Sequence, residues 1–538
     1  MGRSASRLTR LHVAALSSAF ILLCIAVAHR APAQPAAAKP APAQSEDKLE
    51  AARESVAAHQ FAEAITLLES ELAKNPENDE ARSLLARVLS WQHRYDQSLA
   101  EYGRLLEKKP GDAELRADRA RVLAWSGRHE EAIREYQVAL ATDSTNTETK
   151  IGLARAQSWS GDLAGASMTY EGLVAKNPEL GDAWLGLAAV ARWRGAPTAA
   201  DRFCSKAERA GADTEGVADE KVAVRTALLP SIGGGWTTSR ERQYVTGTDF
   251  TLETEGPYVQ ARATAARAAQ LSGRVDWLAL RETPSVGDSA NYDLESVVYN
   301  ADVSLLRGYP WQVALGGEYR TFDQGSSDVL FPLGGEDTFF GWSARLWRFC
   351  GRLTPRIGAG REYIAFKETL PSGLREFQPG RFTNYEGGLS WQWNGRGTAD
   401  WAASRGFYSD DNSNWMAAGG VTYRIKTRVP VVAVDGRLTY RDWDFPSPNY
   451  FTPLQSIKGA AGISLSGYVE RSALDYTLRY EISGLGSTNF GDIWTNSWTG
   501  NLSLTAFDIL PIGIDGAYSV DNNSYETWFL GLSGSARW

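Results

Sequence analysis

The chain has 538 residues, which is too many for one hydrophobic core, so we expect at least two domains. Its 51 Gly, 19 Trp, 21 Tyr and 18 Phe are many for a soluble enzyme. The formal net charge of −8 argues against a nucleic-acid partner, because binding to phosphates needs an excess of basic residues.

The N-terminal segment has the pattern of a secretory signal. Three arginines among the first ten residues precede an apolar run at 11–28, and two sites after it would suit cleavage. We therefore expect 1–30 to be a signal peptide, with the cleavage position left open. Residues 31–44 are rich in Ala and Pro and cannot bury a core, so they predict an extended linker.

A repeat with a constant period follows the linker, and its length of about 34 residues is typical of stacked helix pairs. Small residues recur where two helices would approach closely, a tyrosine would fill the adjacent space, and a proline would end each unit. These features predict about five helix pairs over 45–214. The recurring positions are Trp91, Trp125, Trp159 and Trp193; Ala86, Ala120, Ala154 and Ala188; Ala132, Ala166 and Ala200; Tyr102, Tyr136 and Tyr170; and Pro76, Pro110 and Pro178.

This pattern resembles the tetratricopeptide repeat. In that family the tryptophan position falls late in the first helix of each unit, on the side that often faces the concave groove. The resemblance makes the four tryptophans candidate groove residues that stack on a glycan or grip a partner peptide. The alternative is that they only pack one helix pair on the next, as aromatic residues at helical spacing usually do.

From residue 224 to residue 538 the pattern changes to strand alternation. In one segment Trp311 and Tyr319 occupy the apolar face while Glu318 and Arg320 occupy the polar face. Turns that alternate between short and long separate sixteen such segments, as expected of a membrane barrel. The sequence therefore predicts an α + β multidomain fold, with an N-terminal α-helical tetratricopeptide solenoid followed by an antiparallel transmembrane β-barrel of about 16 strands.

The barrel prediction also implies a location. An even number of strands returns both barrel ends to one side, so the expected place is the outer membrane, with the repeats in the periplasm. The chain ends on Trp538, which resembles the assembly signal of outer-membrane proteins and implies outer-membrane lipid and the barrel assembly machinery as partners. The strands of a soluble β-sandwich also alternate between apolar and polar residues, but such a domain would not usually carry so many aromatic residues at strand ends.

The sequence contains no recognisable catalytic constellation. All five histidines precede the barrel, so a histidine-activated nucleophile cannot be built there. Neither paired cysteines nor clustered histidines predict a metal site, and no phosphate-binding glycine loop is present. Asp410 and Asp411, or the lumen acids Asp475 and Glu481, could in principle hydrolyse a glycan. Adjacent loop acids are mostly solvated, however, and lumen acids beside arginines mostly form ion pairs. We expect no enzymatic activity and no cofactor.

Charged residues on the polar faces of the strands are instead the candidate pore lining. A wall of both charge signs selects solutes by its field and its hydrogen bonds. A slight excess of basic residues on this wall favours a neutral or anionic hydrophilic solute. The alternative for each of these residues is that it only ties the wall together through ion pairs. The candidates are Glu318, Arg320, Arg345, Arg424, Arg437, Arg441, Asp475, Arg479 and Glu481.

The order of signal, tetratricopeptide array and terminal barrel resembles the exopolysaccharide-export porins of cellulose and poly-N-acetylglucosamine secretion. The stretch at 446–453, PSPNYFTP, is similar to a Tyr-Phe-Ser-Pro stretch of those barrels, with threonine in place of serine. The Trp-Ser-Gly units at 125–127 and 159–161 and the modest chain length resemble the YaiO-type barrel family more closely.

The resemblance implies a channel for exopolysaccharide export, with the polysaccharide and periplasmic or inner-membrane synthase components as partners. Two other hypotheses stay open. The protein could be a YaiO-type porin for small solutes, or the barrel could anchor a periplasmic scaffold with no role in polysaccharide secretion.

Overall fold

The computed structural model describes residues 48–243, 250–266, 269–283, 292–306, 309–324, 338–369, 375–427, 429–446, 452–469, 473–488, 491–506, 510–522 and 525–537. The expected signal peptide and linker, Trp538 and much of the 446–453 motif lie outside these residues. By its internal contacts the chain divides into two compact units, one that ends at Lys74 and one that comprises Asn75–Trp538.

Eleven helices occupy the described residues before Ser231 and form five successive pairs with one further helix. The helices are α1 (Lys48–Ala57), α2 (Phe61–Lys74), α3 (Asp79–Trp91), α4 (Tyr95–Lys108), α5 (Ala113–Trp125), α6 (His129–Thr142), α7 (Thr147–Ser160), α8 (Leu163–Lys176), α9 (Gly181–Trp193), α10 (Pro197–Arg209) and α11 (Thr214–Leu228).

The repeat period also places the helix starts. Asn78, Asp112 and Asn146 stand at equivalent positions of successive repeats, and the side chain of each accepts backbone N–H groups in the first turn of α3, α5 and α7. An N-cap of this kind stabilises a helix by about 1 kcal/mol. The start of each unit is therefore encoded locally as well as by packing.

The repeated small and aromatic residues form the helical core, as predicted. All of the recurring alanines and tyrosines between residues 86 and 200 are buried, and Tyr102, Tyr136 and Tyr170 are only 2–3% exposed. A β-carbon on Gly152 would lie 2.6 Å from the ring of Tyr136, and Gly186 stands in the same relation to Tyr170, so these two rings occupy space that the next unit leaves open. Burial of such a ring stabilises the fold by roughly 1.5–3 kcal/mol.

A closed barrel of sixteen antiparallel strands follows the helices, which confirms the predicted fold class. Each strand pairs with its neighbours in sequence, and β1 pairs with β16 to close the sheet. The strands are β1 (Ser231–Gln243), β2 (Phe250–Ala266), β3 (Ala269–Thr283), β4 (Tyr292–Leu305), β5 (Trp311–Gln324), β6 (Thr338–Arg348), β7 (Leu353–Thr369), β8 (Arg375–Gln392), β9 (Gly397–Tyr408), β10 (Ser413–Lys426), β11 (Val431–Trp443), β12 (Ser456–Val469), β13 (Leu474–Gly486), β14 (Ile493–Ala506), β15 (Leu510–Asp521) and β16 (Tyr525–Arg537).

The two faces of the sheet differ in exposure. On one face Trp236, Leu532 and Ile514 are paired neighbours on β1, β16 and β15 and are 44–48% exposed. The other face carries buried side chains such as Phe322 and Phe339. Because the concave side of a closed sheet crowds its side chains together, the second face is the inner one. The apolar face is therefore the outer surface of the barrel.

The boundary between the helical region and the barrel differs from the prediction. The repeats were expected to end at residue 214 and the barrel to begin at residue 224, but α11 continues to Leu228 and β1 begins at Ser231. Val217 and Val224 of α11 are buried against the preceding helices. The short alternation of apolar residues at 222–224 fits a strand or a helix, and packing decides for the helix.

Candidate functional site at the helix-side rim and inner wall of the barrel

One rim of the barrel is fixed by its junction with the helices. Because α11 leads into β1, odd-numbered strands begin at this rim and even-numbered strands end there. The turns β4–β5, β6–β7, β8–β9 and β10–β11 therefore all lie on the same side. We call this edge the helix-side rim and the opposite edge the loop-side rim.

The turn between α7 and α8 is seated on the helix-side rim. Asp162 caps α8 by accepting the backbone N–H of Gly165, and its other carboxylate oxygen accepts a hydrogen bond of 2.5 Å from Arg352 in the β6–β7 turn. The side chain of Gln392 donates to the carbonyl of Gly161 at 2.8 Å. Asp162 is buried, so this ion pair is shielded from solvent on one side.

Neighbouring helices contact neighbouring turns. Glu130 of α6 forms an ion pair with Arg396 in the β8–β9 turn. Arg194, just after α9, stacks over Phe349 in the β6–β7 turn at 4.6 Å from the ring centre. Burial there lowers the pKa of the Arg194 guanidinium.

A further contact is made by Arg202 of α10, which stacks over Tyr309 in the β4–β5 turn at 4.2 Å from the ring centre. Residues 130, 162, 194 and 202 follow one another along the chain. The turns that they contact run in the opposite direction, from β8–β9 through β6–β7 to β4–β5. Successive helical units therefore step along successive hairpins of the rim.

The four repeated tryptophans stand at the same ends of the helices. Each is the last or next-to-last residue of its helix, and the four side chains are 39–44% exposed. Part of each ring is thus accessible, and the ring of Trp159 also contacts that of His129 in the preceding helix, with 6.0 Å between the ring centres. Trp159 lies next to the turn that contains Ser160 and Gly161, and Trp193 directly precedes Arg194. Two of the four candidate groove residues are thus beside the contacts with the barrel.

Arginines that the sequence analysis did not single out share this surface. Arg87, Arg121 and Arg155 recur at the same step as the tryptophans, four residues before Trp91, Trp125 and Trp159. Residues four apart lie on the same face of a helix, so each helix presents a cation beside an indole. The same spacing that identified the tryptophans could have identified these arginines.

The strand register places all nine candidate pore-lining residues on the inner face, in the same alternation as Phe322 and Phe339. Four of the candidates form two ion pairs: Arg320 with Glu318 at 3.1 Å and Arg479 with Glu481 at 2.5 Å. The others are not joined to one another. Arg345 pairs with Glu386 instead, while Arg424, Arg437, Arg441 and Asp475 form no ion pair among the described residues.

Three ion pairs on the inner wall cross a complete strand, and the sequence analysis missed their acidic partners. Arg345 reaches Glu386 across Gly358, Arg356 reaches Asp400 across Gly388, and Arg479 reaches Asp435 across Gly462. A β-carbon on the intervening glycine would lie 2.6–2.9 Å from an atom of one partner. A larger side chain at these positions would push the arginine or the acid aside, so glycine favours these bridges. The excess of positive charge on the wall is smaller than expected, because these acids neutralise three of its arginines.

The outer face of the barrel has a separate apolar depression of about 630 Å³. Trp401, Leu438, Tyr440 and Ile457 form its walls. Closer to the loop-side rim the same face carries the ion pairs Arg240–Glu253 and Arg281–Glu255. The outer surface is thus apolar along the strands and charged towards the loop side.

The described residues contain no group of three or more His, Cys, Asp or Glu side chains placed to hold a metal ion. Among the helices that the structure describes, none has both the length and the apolar character needed to cross a bilayer. Cys204 is buried and Cys350, in the β6–β7 turn, is exposed; neither forms a disulfide.

Comparisons with known proteins agree with this architecture. A tetratricopeptide-repeat model matches residues 55–122 and 123–189, so the helical region consists of tetratricopeptide repeats. No curated protein sequence matches the chain.

Several solved structures are similar at low sequence identity. A bacterial polysaccharide outer membrane secretin is 12% identical, with a TM-score of 0.42, over 58% of this chain and 99% of its own. OprB of Pseudomonas putida is 7% identical, with a TM-score of 0.32, over 59% of this chain and 95% of its own. YrrB, a tetratricopeptide protein with an unusual peptide-binding site, is 15% identical, with a TM-score of 0.27, over 32% and 90%.

Proposed function

We propose that the protein is an outer-membrane channel that exports a polysaccharide, with its tetratricopeptide repeats in the periplasm. The observation that carries the proposal is the seating of the repeats on the helix-side rim. It brings the exposed tryptophans of the helix ends beside the entrance of a wide barrel, so that the helical array and the inner wall form one path.

The outer surface supports a membrane location. Its large apolar side chains are 38–66% exposed, and they occur on strands around the whole barrel. A soluble barrel would not leave so much apolar surface in water. A closed sheet satisfies all backbone hydrogen bonds between strands, which is the condition for crossing a bilayer without helices. We therefore assign the apolar face to the lipid of an outer membrane.

The inner surface supports the passage of a hydrophilic solute. A barrel of sixteen strands is wide enough to enclose an aqueous channel. The described inner wall carries arginines, acids and hydroxyl groups that can exchange hydrogen bonds with a sugar chain. Sugar hydroxyls prefer such a wall to an apolar one, because they lose few hydrogen bonds on entry.

The tryptophans explain why the repeats belong to the channel. An indole ring offers a flat apolar surface at low conformational cost, on which the C–H face of a sugar ring can stack. Indoles repeated at a constant step offer equivalent stacking positions along the array. A polymer could therefore move from one position to the next without a large change in free energy.

The alternative functions predict different behaviour. A porin for small solutes would not need tryptophans outside the barrel, and its loss would reduce solute uptake rather than secretion. A barrel that only anchors a scaffold would work with a blocked lumen, whereas removal of residues 45–214 would abolish its function.

Deletion of the gene in the producing bacterium tests the proposal. Polymer should accumulate in the periplasm, and the wild-type gene should restore secretion. The double variant Asp162→Ala with Arg352→Ala, which releases the docked turn, should secrete less polymer than the control Asp112→Ala, which removes a helix cap away from the rim. Normal secretion by the deletion strain would refute the proposal.

A further inference from the structure

The charges beside the tryptophans change along the helical array. Asp118 lies 3.8 Å from Arg87 and 3.2 Å from Arg121, so one carboxylate neutralises the cations of two units. In the next unit the position equivalent to Asp118 is Gly152. Arg155 consequently has no carboxylate partner among the described residues, and its side chain is exposed. The array thus becomes more cationic towards the unit that is seated on the barrel.

A cation of the barrel lies at the docked turn. Nη1 of Arg424, on the inner face at the end of β10, lies 2.5 Å from the place where a β-carbon on Gly161 would stand. Gly161 comes two residues after Trp159 in the docked turn. Arg424 therefore stands between the docked end of α7, which carries Arg155 and Trp159, and the inner wall.

The inner wall carries further unneutralised cations on the adjacent strands. Arg437 and Arg441 of β11 and Lys458 of β12 share the inner face, with Lys458 paired to the residue between the two arginines. None of them forms an ion pair among the described residues. On most of the rest of the wall the arginines are neutralised, as in Arg274–Asp276, Arg320–Glu318, Arg345–Glu386 and Arg479–Asp435.

A further inner-face arginine, Arg262 of β2, also has no carboxylate partner in the described part of the chain, and it lies on the far side of the barrel. Four cations without carboxylate partners are nevertheless concentrated on the three neighbouring strands β10, β11 and β12. The β8–β9 hairpin beside these strands is also the one that holds Glu130 and Gly161.

We propose that the cations Arg155, Arg424, Arg437, Arg441 and Lys458, with Trp159 beside the docked turn, conduct a polysaccharide whose sugar units carry carboxylate groups. The inference rests on the proposed function and names the class of its substrate. A guanidinium binds a carboxylate through two parallel hydrogen bonds, and the indole accepts the sugar ring. The indole rings recur at a constant step of the array and lead to the cations on the wall, which fits a regular acidic glycan better than an acidic peptide of irregular sequence.

The test uses the full-length protein in planar lipid bilayers, with polymers added on the side of the helical repeats. Oligogalacturonate should block the current, whereas a neutral dextran of equal length should not, and the open channel should prefer anions. Arg155→Gln and Trp159→Ala should each weaken the block by about tenfold, which corresponds to about 1.4 kcal/mol of binding free energy. Trp159→Phe should retain it.

Matched variants test which residues make the channel prefer anions. Arg437→Gln, Arg441→Gln and Lys458→Gln together should shift the reversal potential towards cations. The control Arg348→Gln removes a cation that stacks on Trp311 on the outer face and should leave the potential unchanged. Heat-dependent gel mobility shows whether each variant has a folded barrel, and folded variants are compared.

Equal block by dextran and oligogalacturonate, or a cation-selective wild-type channel, would overturn the inference. Equal block by polyglutamate would also overturn it and would indicate an acidic protein segment as the occupant. These outcomes are distinct from failure of the proposed function. Normal secretion in the deletion strain would refute export even if oligogalacturonate blocks the channel.

Discussion

The contact between Asp162 and Arg352 gives the sharpest prediction about docking. Asp162 has two roles: one oxygen caps α8 and the other accepts a hydrogen bond from Arg352. Asp162→Asn keeps a cap, because Asn and Asp are nearly equal at this position, but removes the charge. Asp162→Ala removes both. The two variants therefore separate the helix cap from the contact with the barrel.

The expected loss of stability depends on how deeply Asp162 and Arg352 are buried. A hydrogen bond between charged groups contributes about 1.5–3 kcal/mol when both are buried. Arg352 is 29% exposed, so we expect a loss near the lower end, about 1–2 kcal/mol for Asp162→Asn. For a helical region of this length each kcal/mol corresponds to roughly 2–4 °C, so its melting temperature should fall by about 2–8 °C. Asp162→Ala should cost about 1 kcal/mol more.

The assay is thermal unfolding of the purified full-length protein in detergent, followed by far-ultraviolet circular dichroism in the helix band. Asp112 supplies the control, because it caps α5 in the same way and lies away from the rim. Asp112→Asn should have almost no effect, and Asp112→Ala should lose only the cap. A double-mutant cycle of Asp162→Asn with Arg352→Gln should give a coupling of about 1–2 kcal/mol. Zero coupling, or equal effects of Asp162→Asn and Asp112→Asn, would refute the docked arrangement.

Three further predictions address the wall, the array and the cysteines. Gly462→Ala should displace Arg479 from Asp435 and destabilise the barrel by about 1 kcal/mol, so that it unfolds at a lower temperature in a gel-mobility assay. Gly436→Ala should leave the unfolding temperature unchanged, because a β-carbon there would make only an ordinary contact. Equal effects of the two variants would contradict the strand-crossing ion pair. Burial raises the pKa of Asp118, so the folded repeats bind its proton more readily than the unfolded chain and should gain stability as the pH falls through that raised pKa. Asp118→Asn should lack that gain in stability when urea unfolding is compared across pH. The same pH dependence in the variant as in the wild-type protein would contradict this prediction. Burial also raises the pKa of the Cys204 thiol to about 11. Maleimide should therefore label Cys350 but not Cys204 in the native protein, and Cys204 only after denaturation. Labelling of Cys204 in the native protein would show that α10 is not packed as described.

Much of the fold could be predicted from the sequence, because both domains repeat a simple pattern. The helix pairs follow from a constant period, and the strand number follows from alternation between turns. The boundary at 214–224 could not be predicted, since the residues of α11 fit either structure until their packing is known. Val224 belongs to one buried cluster with Ala188 and Cys204, and this packing, which its neighbours in sequence do not reveal, makes the segment helical.

The candidate site was predictable only in part. Every predicted pore-lining residue falls on the inner face, because alternation fixes the face of a residue. The acidic partners were missed, since a bridge such as Arg479–Asp435 depends on strand register and on a glycine between the two. The docking contacts were also missed. Asp162 and Arg352 are 190 residues apart, and no local pattern connects a helix turn with a barrel turn at that separation.

The most direct test of the central claim, that the repeats are seated on the helix-side rim, is a cross-link between them. Glu130→Cys with Arg396→Cys replaces an ion pair that joins α6 to the β8–β9 turn. The control Asp96→Cys with Arg396→Cys uses the equivalent residue one repeat earlier. In a background with Cys350→Ser, a short bifunctional thiol reagent applied to intact cells should link the first pair and leave the second open to maleimide-polyethylene glycol. Equal linking of both pairs, or of neither, would contradict the docked path from repeats to barrel.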